Sequence, residues 1–316
     1  MIDVSNVKIG VIGVGGWGKN HLRVLNELGC LTAFCDVNAD RVKMYEKKYG
    51  VKGYCSVDEM LQKESLNAVT VCTPTITHSE ISKKTLNAGL HTFVEKPLTL
   101  SSKDGEELLE IAEKQGVILT AGYIERFNPA ISTLKDLILS GKIGEPLLLE
   151  FHRESKWLGN VRDVGIILDT AVHDIDTARW IFNLEPKVVF ARTGHIISPN
   201  EDFAAIILGF DQKKTAFIAS NWVTPKKVRR LVTVCTGGIA TIDFITQEIQ
   251  IDDAEGTIIP RKEWKEPLLL ELKHFIECVE GKQTPIVSAV DALNNTKVAE
   301  AALISSRHGV PIYLEL

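Results

Sequence analysis

The sequence predicts an α/β protein in two parts: a parallel sheet of βα units, then an α+β part built on a largely antiparallel sheet. Three observations carry this expectation. Up to about residue 122, short apolar runs rich in β-branched residues alternate with amphipathic stretches. A glycine-rich turn follows the first of those runs. From Lys187 to Ile259 the chain reads as one strand after another.

The first part is expected to place strands at Val7–Ile12, Leu31–Cys35, Ala68–Cys72, His91–Val94 and Val117–Ala121. Each is bounded by turn residues and apolar throughout, as strands buried on both faces require. Helices are expected over Trp17–Leu28, Glu80–Ala88 and Ser102–Gln115, each followed by a glycine suited to a left-handed cap. Ser56-Val57-Asp58-Glu59 forms a capping box that opens another short helix. Beyond residue 122 the texture changes. A helix starts at Pro129 and runs to Ser140, a strand covers Leu147–Arg153, and a helix spans Ile166–Phe182. Strands follow at Lys187–His195, Phe203–Phe210, Thr215–Asn221, Val228–Cys235, Ala240–Phe244 and Glu248–Ile251, with Asp211-Gln212-Lys213-Lys214 as a hairpin turn. Helices at Leu268–Glu280 and Ala289–Arg307 close the chain. The domain boundary is therefore expected at residue 122, giving parts 1–122 and 123–316.

Composition narrows the function classes. A chain of 316 residues is long enough to bury a sizeable core without disulfides or metal. Thirty-six basic against 41 acidic residues leave a net charge of −5, which argues against a general nucleic-acid binder. The six cysteines, Cys30, Cys35, Cys55, Cys72, Cys235 and Cys278, include no CxxC pair and several lie in apolar runs. They are expected to be reduced thiols of a cytoplasmic protein with no metal site. No apolar stretch reaches the ~18 residues of a membrane span, and Met1-Ile2-Asp3-Val4 lacks the basic start of a signal peptide.

The first strand leads into Gly13-Val14-Gly15-Gly16-Trp17-Gly18, a G-x-G-x-x-G turn between strand and helix. Gly13 permits the tight turn, Gly15 lets the backbone approach a pyrophosphate, and Gly18 lets helix and strand pack closely. Asp36 ends the next strand, where an acid accepts hydrogen bonds from an adenosine ribose. Its charge would repel a 2′-phosphate, so NAD is expected over NADP, with Arg41 near enough to admit some NADP. Two segments, Thr73-Pro74-Thr75-Ile76-Thr77-His78 and Glu95-Lys96-Pro97, follow strands and so lie at their carboxyl ends, where such sheets bind ligands. Lys96 could stabilise a developing alkoxide there, or be a solvated surface lysine. Further on, Asp169 and His173 are four apart on one expected helix, so the carboxylate could orient the imidazole as a base for an alcohol proton. A packing histidine is the bland alternative. The absence of HExxH spacing and of G-x-S-x-G leaves no sequence support for a metal site or acyl transfer.

In this order, Gly13-x-Gly15-x-x-Gly18, Asp36, Thr73-Pro74 with His78, Glu95-Lys96-Pro97 and Asp169-x-x-x-His173 resemble the glucose–fructose oxidoreductase/inositol dehydrogenase/MocA family over the whole chain. The resemblance implies a doubly wound Rossmann domain followed by an α+β domain with an open, largely antiparallel sheet. It implies oxidation of a secondary alcohol on a sugar or cyclitol, with homodimer or homotetramer contacts through that sheet. Lys96, Asp169 and His173 would be the catalytic group. Gly13, Gly15, Gly16, Trp17, Gly18, Asp36, Thr73, Pro74, His78, Glu95 and Lys96 would line the NAD site. Gly122-Tyr123-Ile124-Glu125-Arg126-Phe127-Asn128-Pro129 and Arg162-Asp163-Val164-Gly165 resemble the branch that oxidises the 3-hydroxyl of UDP-N-acetylglucosamine. For such a substrate Arg126, Asn128, Arg153, Lys156 and Arg162 are the candidate binding residues, four of them as cations for a diphosphate. Gly16-Trp17 departs from the smaller or more polar residues common in that turn. A dehydrogenase of a free sugar or inositol is the alternative within the class, and a catalytically silent sensing protein the alternative outside it.

Overall fold

The computed structural model describes residues 6–157, 159, 163–261 and 263–316. By its internal contacts the chain divides into two compact units, residues 1–122 with 268–296, and residues 123–267 with 297–316.

In the first unit a six-stranded parallel sheet has the order β3-β2-β1-β4-β5-β6. Its strands are β1 (Ile9–Ile12), β2 (Leu31–Cys35), β3 (Lys52–Tyr54), β4 (Ala68–Val71), β5 (His91–Val94) and β6 (Leu119–Ala121). Between them run α1 (Gly18–Glu27), α2 (Ala39–Tyr49), α3 (Val57–Lys63), α4 (His78–Asn87) and α5 (Ser102–Gln115). Every residue of β1 and β4 is buried, which explains their unbroken apolar runs. The helix ends follow local chemistry. Asn38, Ser56 and Ser101 cap α2, α3 and α5 by accepting backbone N–H bonds, and Gly50 and Gly116 close α2 and α5 in the left-handed region. The order reverses direction between β1 and β4, so the loops leaving these strands flank the crevice where such sheets bind ligands.

Two helices near the end of the chain, α8 (Pro267–Val279) and α9 (Ala289–His308), bear on the expected boundary. Residues 268–296 belong to the first unit rather than to a single C-terminal part. Phe275 of α8 meets Phe93 of β5 edge to face at 5.6 Å, Leu293 packs beside Gly105, and the Thr120 hydroxyl donates to the Val287 carbonyl at 2.8 Å. Burial of apolar surface on the sheet places this segment, which no local pattern in the sequence reveals.

The second unit holds α6 (Pro129–Leu139), β7 (Pro146–Lys156), α7 (Val172–Phe182), β8 (Val188–Gly194), β9 (Phe203–Gly209), β10 (Thr215–Asn221), β11 (Val223–Cys235), β12 (Gly238–Asp243), β13 (Glu248–Asp253), β14 (Gly256–Ile258) and β15 (Ile312–Tyr313). They form a nine-stranded sheet, β14-β13-β12-β11-β7-β10-β9-β8-β15, in which β7 and β10 pair in parallel and the other neighbours are antiparallel. Helix α7 packs on β7 and β10, and α6 on β12 and β13. Strand residues alternate accordingly. Leu149, Phe151, Ile206, Leu208 and Ile218 are fully buried, whereas Phe203, Ile207 and Ile239 on the other parity are about 40% exposed or more. The uniform helix expected over Ile166–Phe182 is instead a π-helical turn at Ile167–Ala171 running into α7. Asn183, in the left-handed region at φ 52°, ends it.

Candidate active site

The glycine turn is shaped by close approach. Gly13 has φ +83°, and a Cβ there would lie 2.7 Å from Thr73 Cγ2 and 2.9 Å from the Cys72 carbonyl oxygen. A Cβ on Gly18 would lie 1.9 Å from the carbonyl oxygen of Gly13, so only glycine lets α1 start this close to β1. At Gly15 the nearest atom is Arg41 Nη1 at 3.5 Å, and at Gly16 nothing lies within 4 Å. The turn is therefore tight on its inner side and open above Gly15 and Gly16. The first turn of α1, whose cap residue Trp17 makes no side-chain cap bond, supplies N–H donors to an anion placed there. This shape fits a dinucleotide pyrophosphate, with the Trp17 side chain 46% exposed beside it.

Asp36 is one residue beyond β2 and 6% exposed. Its Oδ2 accepts from the Val14 N–H at 2.9 Å and its Oδ1 from the Asn38 N–H at 2.8 Å. Arg41 Nη1 stands 3.4 Å away, with about half of its side chain in solvent. One carboxylate thus holds the glycine turn in place and ends the strand where a ribose would lie. The helix cap nearby is Asn38, which excludes capping as the task of Asp36.

The two further segments at strand ends are tied together by His78, the first residue of α4. Its Nδ1 lies 2.9 Å from the Pro97 carbonyl oxygen and its Nε2 2.9 Å from that of Thr73. A neutral ring can donate to one of these acceptors, and a doubly protonated ring to both. The Thr77 hydroxyl donates to the Pro74 carbonyl at 2.7 Å and lies 2.8 Å from Thr73 Oγ1. Glu95 is buried; its Oε1 pairs with His21 Nε2 at 2.8 Å and its Oε2 accepts the Lys96 N–H at 3.2 Å. Gly122 leaves room for that carboxylate, since a Cβ there would lie 3.2 Å from it. His78 and Glu95 therefore set the backbone of Thr73, Pro97 and Lys96. The Lys96 side chain is half-buried at the end of β5, and the Lys96–Pro97 bond is cis.

In the second unit Asp169 sits on the π-turn and His173 in the first turn of α7, both half-buried. The Asp169 N–H donates to the Gly165 carbonyl at 3.0 Å, and the Thr170 hydroxyl donates to Asp169 Oδ2 at 3.0 Å. Behind them lies a buried charge network. Arg126 forks onto Asp176 at 2.8 and 2.7 Å and stacks on Trp180 at 4.6 Å. Arg153 donates twice to Asp174 Oδ1, at 2.9 and 2.8 Å, and once to Glu125 Oε1 at 3.0 Å. Both guanidinium groups are almost wholly buried. Asn128 is the cap of α6 and donates to Glu125 and to the Phe244 carbonyl. Of the residues expected to bind a diphosphate, Arg126, Asn128 and Arg153 thus meet partners inside the unit, Lys156 is exposed at the end of β7, and Arg162 lies outside the described residues. Sequence shows that a residue is cationic but not whether its partner is water or a carboxylate.

The strand also carries two cations that sequence reading passed over, Lys227 and Arg229 of β11. They belong to the run Lys226-Lys227-Val228-Arg229-Arg230, which reads as a solvated stretch. The available signal is parity: Arg229 is two residues before the fully buried Leu231, so its side chain starts on the inward face. All six cysteines are free thiols; burial pushes Cys35 up to about 12 and Cys235 and Cys278 up to about 11. Among the described residues no helix is long and apolar enough to cross a membrane.

A parallel sheet in this order, with a glycine turn after β1 and an acid after β2, defines the class of Rossmann-type dinucleotide-binding proteins. Comparison with known families is more specific. Residues 7–123 match the model described as "Oxidoreductase family, NAD-binding Rossmann fold", and residues 131–241 match the "GFO/IDH/MocA C-terminal domain". The scyllo-inositol 2-dehydrogenase (NAD(+)) of Bacillus subtilis is 30% identical over 331 residues, covering 98% of this chain and 97% of the relative. The UDP-N-acetylglucosamine 3-dehydrogenase of Acidithiobacillus ferrooxidans is 28% identical over 255 residues, covering 81% and 80%. The crystal structure of that enzyme superposes with a TM-score of 0.88 at 24% identity, covering 96% of this chain and 98% of the other. The chain belongs to the Gfo/Idh/MocA family of NAD-dependent sugar and inositol dehydrogenases, and its cofactor is NAD.

Proposed function

We propose that this chain oxidises a secondary alcohol of a sugar, with the 3-hydroxyl of a UDP-N-acetylhexosamine as its substrate group. The observation that carries the reading is the pair Asp169 and His173, half-buried on a π-turn and the helix that continues it. π-turns are uncommon, and they concentrate at functional sites. Bound NAD supplies the hydride acceptor. His173 takes the hydroxyl proton as the carbon–oxygen bond becomes a carbonyl, Asp169 orients the imidazole, and Lys96 stabilises the alkoxide charge that develops on the oxygen. Glu95 and His78 act one step back, by setting the backbone that carries Lys96 and Thr73. Lys156 is the exposed cation proposed for the substrate phosphates, whereas Arg126 and Arg153 maintain the fold of the second unit.

Oxidation of an inositol is the second reading, favoured by the 30% identity to the Bacillus subtilis scyllo-inositol 2-dehydrogenase over nearly the whole chain. A screen for NADH formation with UDP-N-acetylglucosamine, scyllo-inositol, myo-inositol and free hexoses separates the two. Turnover confined to the UDP-sugar supports the first; turnover confined to unphosphorylated polyols replaces it with the second. His173→Ala is expected to lower turnover by at least a hundredfold while NAD still binds. Wild-type turnover in that variant would refute the assignment of His173, and no turnover with any alcohol would favour a sensing protein. We also propose that the exposed parity of the nine-stranded sheet, with Phe203, Ile207 and Ile239, is covered by a second copy of the chain, which light scattering can test.

A further inference from the structure

We infer that Arg229 and Lys227 of β11 form an oxyanion-binding subsite for the substrate, taking a carboxylate or phosphate group. The inference rests on the proposed reading of Asp169 and His173 as the substrate site. Three observations lead to it. First, Arg229 is in register with Arg153 on the neighbouring strand, and Leu231 is in register with Phe151 in the same way. Because Phe151, Leu231 and Arg153 are all buried, Arg229 points to the face of the sheet on which α7 packs.

Second, Arg229 is poorly neutralised. Its ion pair among the described residues is to Glu125 Oε1 at 3.9 Å, and that oxygen already accepts from Arg153 at 3.0 Å. Asp174, the other buried carboxylate here, is engaged by Arg153 through two donors. Arg153 thus takes the close bonds of both Glu125 and Asp174, and Arg229 is left, among the described residues, with a single ion pair at 3.9 Å. Third, the guanidinium is accessible: the Arg229 side chain is 37% exposed although two residues away the strand is sealed. The electrostatics agree. Burial and the nearby Arg153 hold the Arg229 guanidinium below its usual value, and Arg229 in turn holds the Lys227 ammonium below the ordinary lysine value. An arriving oxyanion would relieve that repulsion and accept charge-assisted bonds from the guanidinium fork.

The placement is specific in another respect. Asp169 is among the carboxylates whose field reaches Arg229, so the subsite lies within electrostatic range of the proposed catalytic pair. A substrate anion held by Arg229 would also fix which ring hydroxyl faces His173.

The test is calorimetric binding to the full chain with NAD bound, using UDP as the phosphate source and D-glucuronate as the carboxylate source. The wild-type protein is expected to bind at least one of them. Arg229→Met is expected to weaken that binding tenfold or more, and Arg229→Lys to weaken it less. Lys227→Met, at an exposed position, is expected to weaken it threefold or more with the fold intact. Loss for UDP alone identifies a phosphate subsite, and loss for glucuronate alone a carboxylate subsite. NAD affinity, measured in each variant, reports that the first unit remains folded. The inference is overturned if neither probe binds the wild type, or if both bind the variants as tightly as the wild type. Failure of the proposed function shows differently, as absent alcohol turnover with oxyanion binding preserved.

Discussion

Replacing Asp36 separates two tasks that the structure assigns to one carboxylate. Asp36→Ala removes acceptors from the Val14 and Asn38 N–H groups, bonds of 2.9 and 2.8 Å to a side chain that is 6% exposed. Hydrogen bonds to a charged group contribute about 1.5–3 kcal/mol each, so even the lower value for both gives a loss of about 3 kcal/mol. The Arg41 pair, half in solvent, adds at most about 1 kcal/mol. For a unit of roughly 150 residues, 1 kcal/mol moves the midpoint by about 2–4 °C, so the first unit should melt about 6–12 °C lower. Asp36→Asn retains one acceptor oxygen and should lose about half as much. Both variants should weaken NAD by about tenfold or more and raise the relative affinity for NADP, because the repulsion of a 2′-phosphate is gone. Thermal melts combined with NAD and NADP titrations measure both effects. An unchanged NAD-to-NADP ratio in Asp36→Ala refutes the ribose role, and an unchanged midpoint refutes the role in holding the glycine turn.

Two further perturbations test the second unit. Asp176→Ala leaves the buried Arg126 guanidinium without its bidentate partner and should destabilise by about 3–5 kcal/mol in urea titration; a loss below about 1 kcal/mol would refute the dependence of Arg126 on that carboxylate. Asp202 sits in a buried setting that raises its carboxyl, but N–H bonds from Ile196, Ile197 and Ser198 outweigh this and hold it below the usual value. A carboxyl lowered by folding stabilises above its unfolded value of about 3.9, and that contribution is lost as the pH falls through the folded value. Asp202→Asn should therefore cost stability at neutral pH and progressively less below about pH 4; a difference between the two proteins that is constant with pH would refute this.

How much was legible in the sequence depends on the range of the interaction. Strands β2, β5 and β10 have the expected limits because their ends are set by adjacent turn residues. The glycine turn was legible because Gly13 and Gly18 answer local steric demands. The three-residue β3 and the edge strands β14 and β15 were not, since short segments acquire their form from a neighbouring strand. Helix α2 does carry local signals in its Asn38 cap and Gly50, but its sequence is largely polar with a weak apolar stripe. The affiliation of residues 268–296 depends on contacts such as Phe275 with Phe93, far apart in the chain. The candidate site divides similarly. Lys96, Asp36, Asp169 and His173 stand out by motif, whereas the partners of Arg126 and Arg153 and the exposure of Arg229 exist only after folding.

The π-turn at Ile167–Ala171 also constrains how this segment can vary. An i→i+5 turn holds one more residue than an α-turn, and each α-helical residue rotates the chain by about 100°. Deleting any one residue between Ile167 and Ala171 would let a continuous α-helix form, and by backbone hydrogen bonding alone that helix would be the more regular one. It would also swing the residues upstream of the deletion about 100° around the axis relative to His173, carrying Asp169 with them wherever the deletion falls after it. The same rotation would turn the buried Ile166, Ile167 and Leu168 out of the core, so shortened variants should lose stability as well as activity, despite their more regular backbone. Packing of the apolar side and placement of Asp169 thus depend on the same extra residue, and the segment should tolerate a change of side chain far better than a change of length.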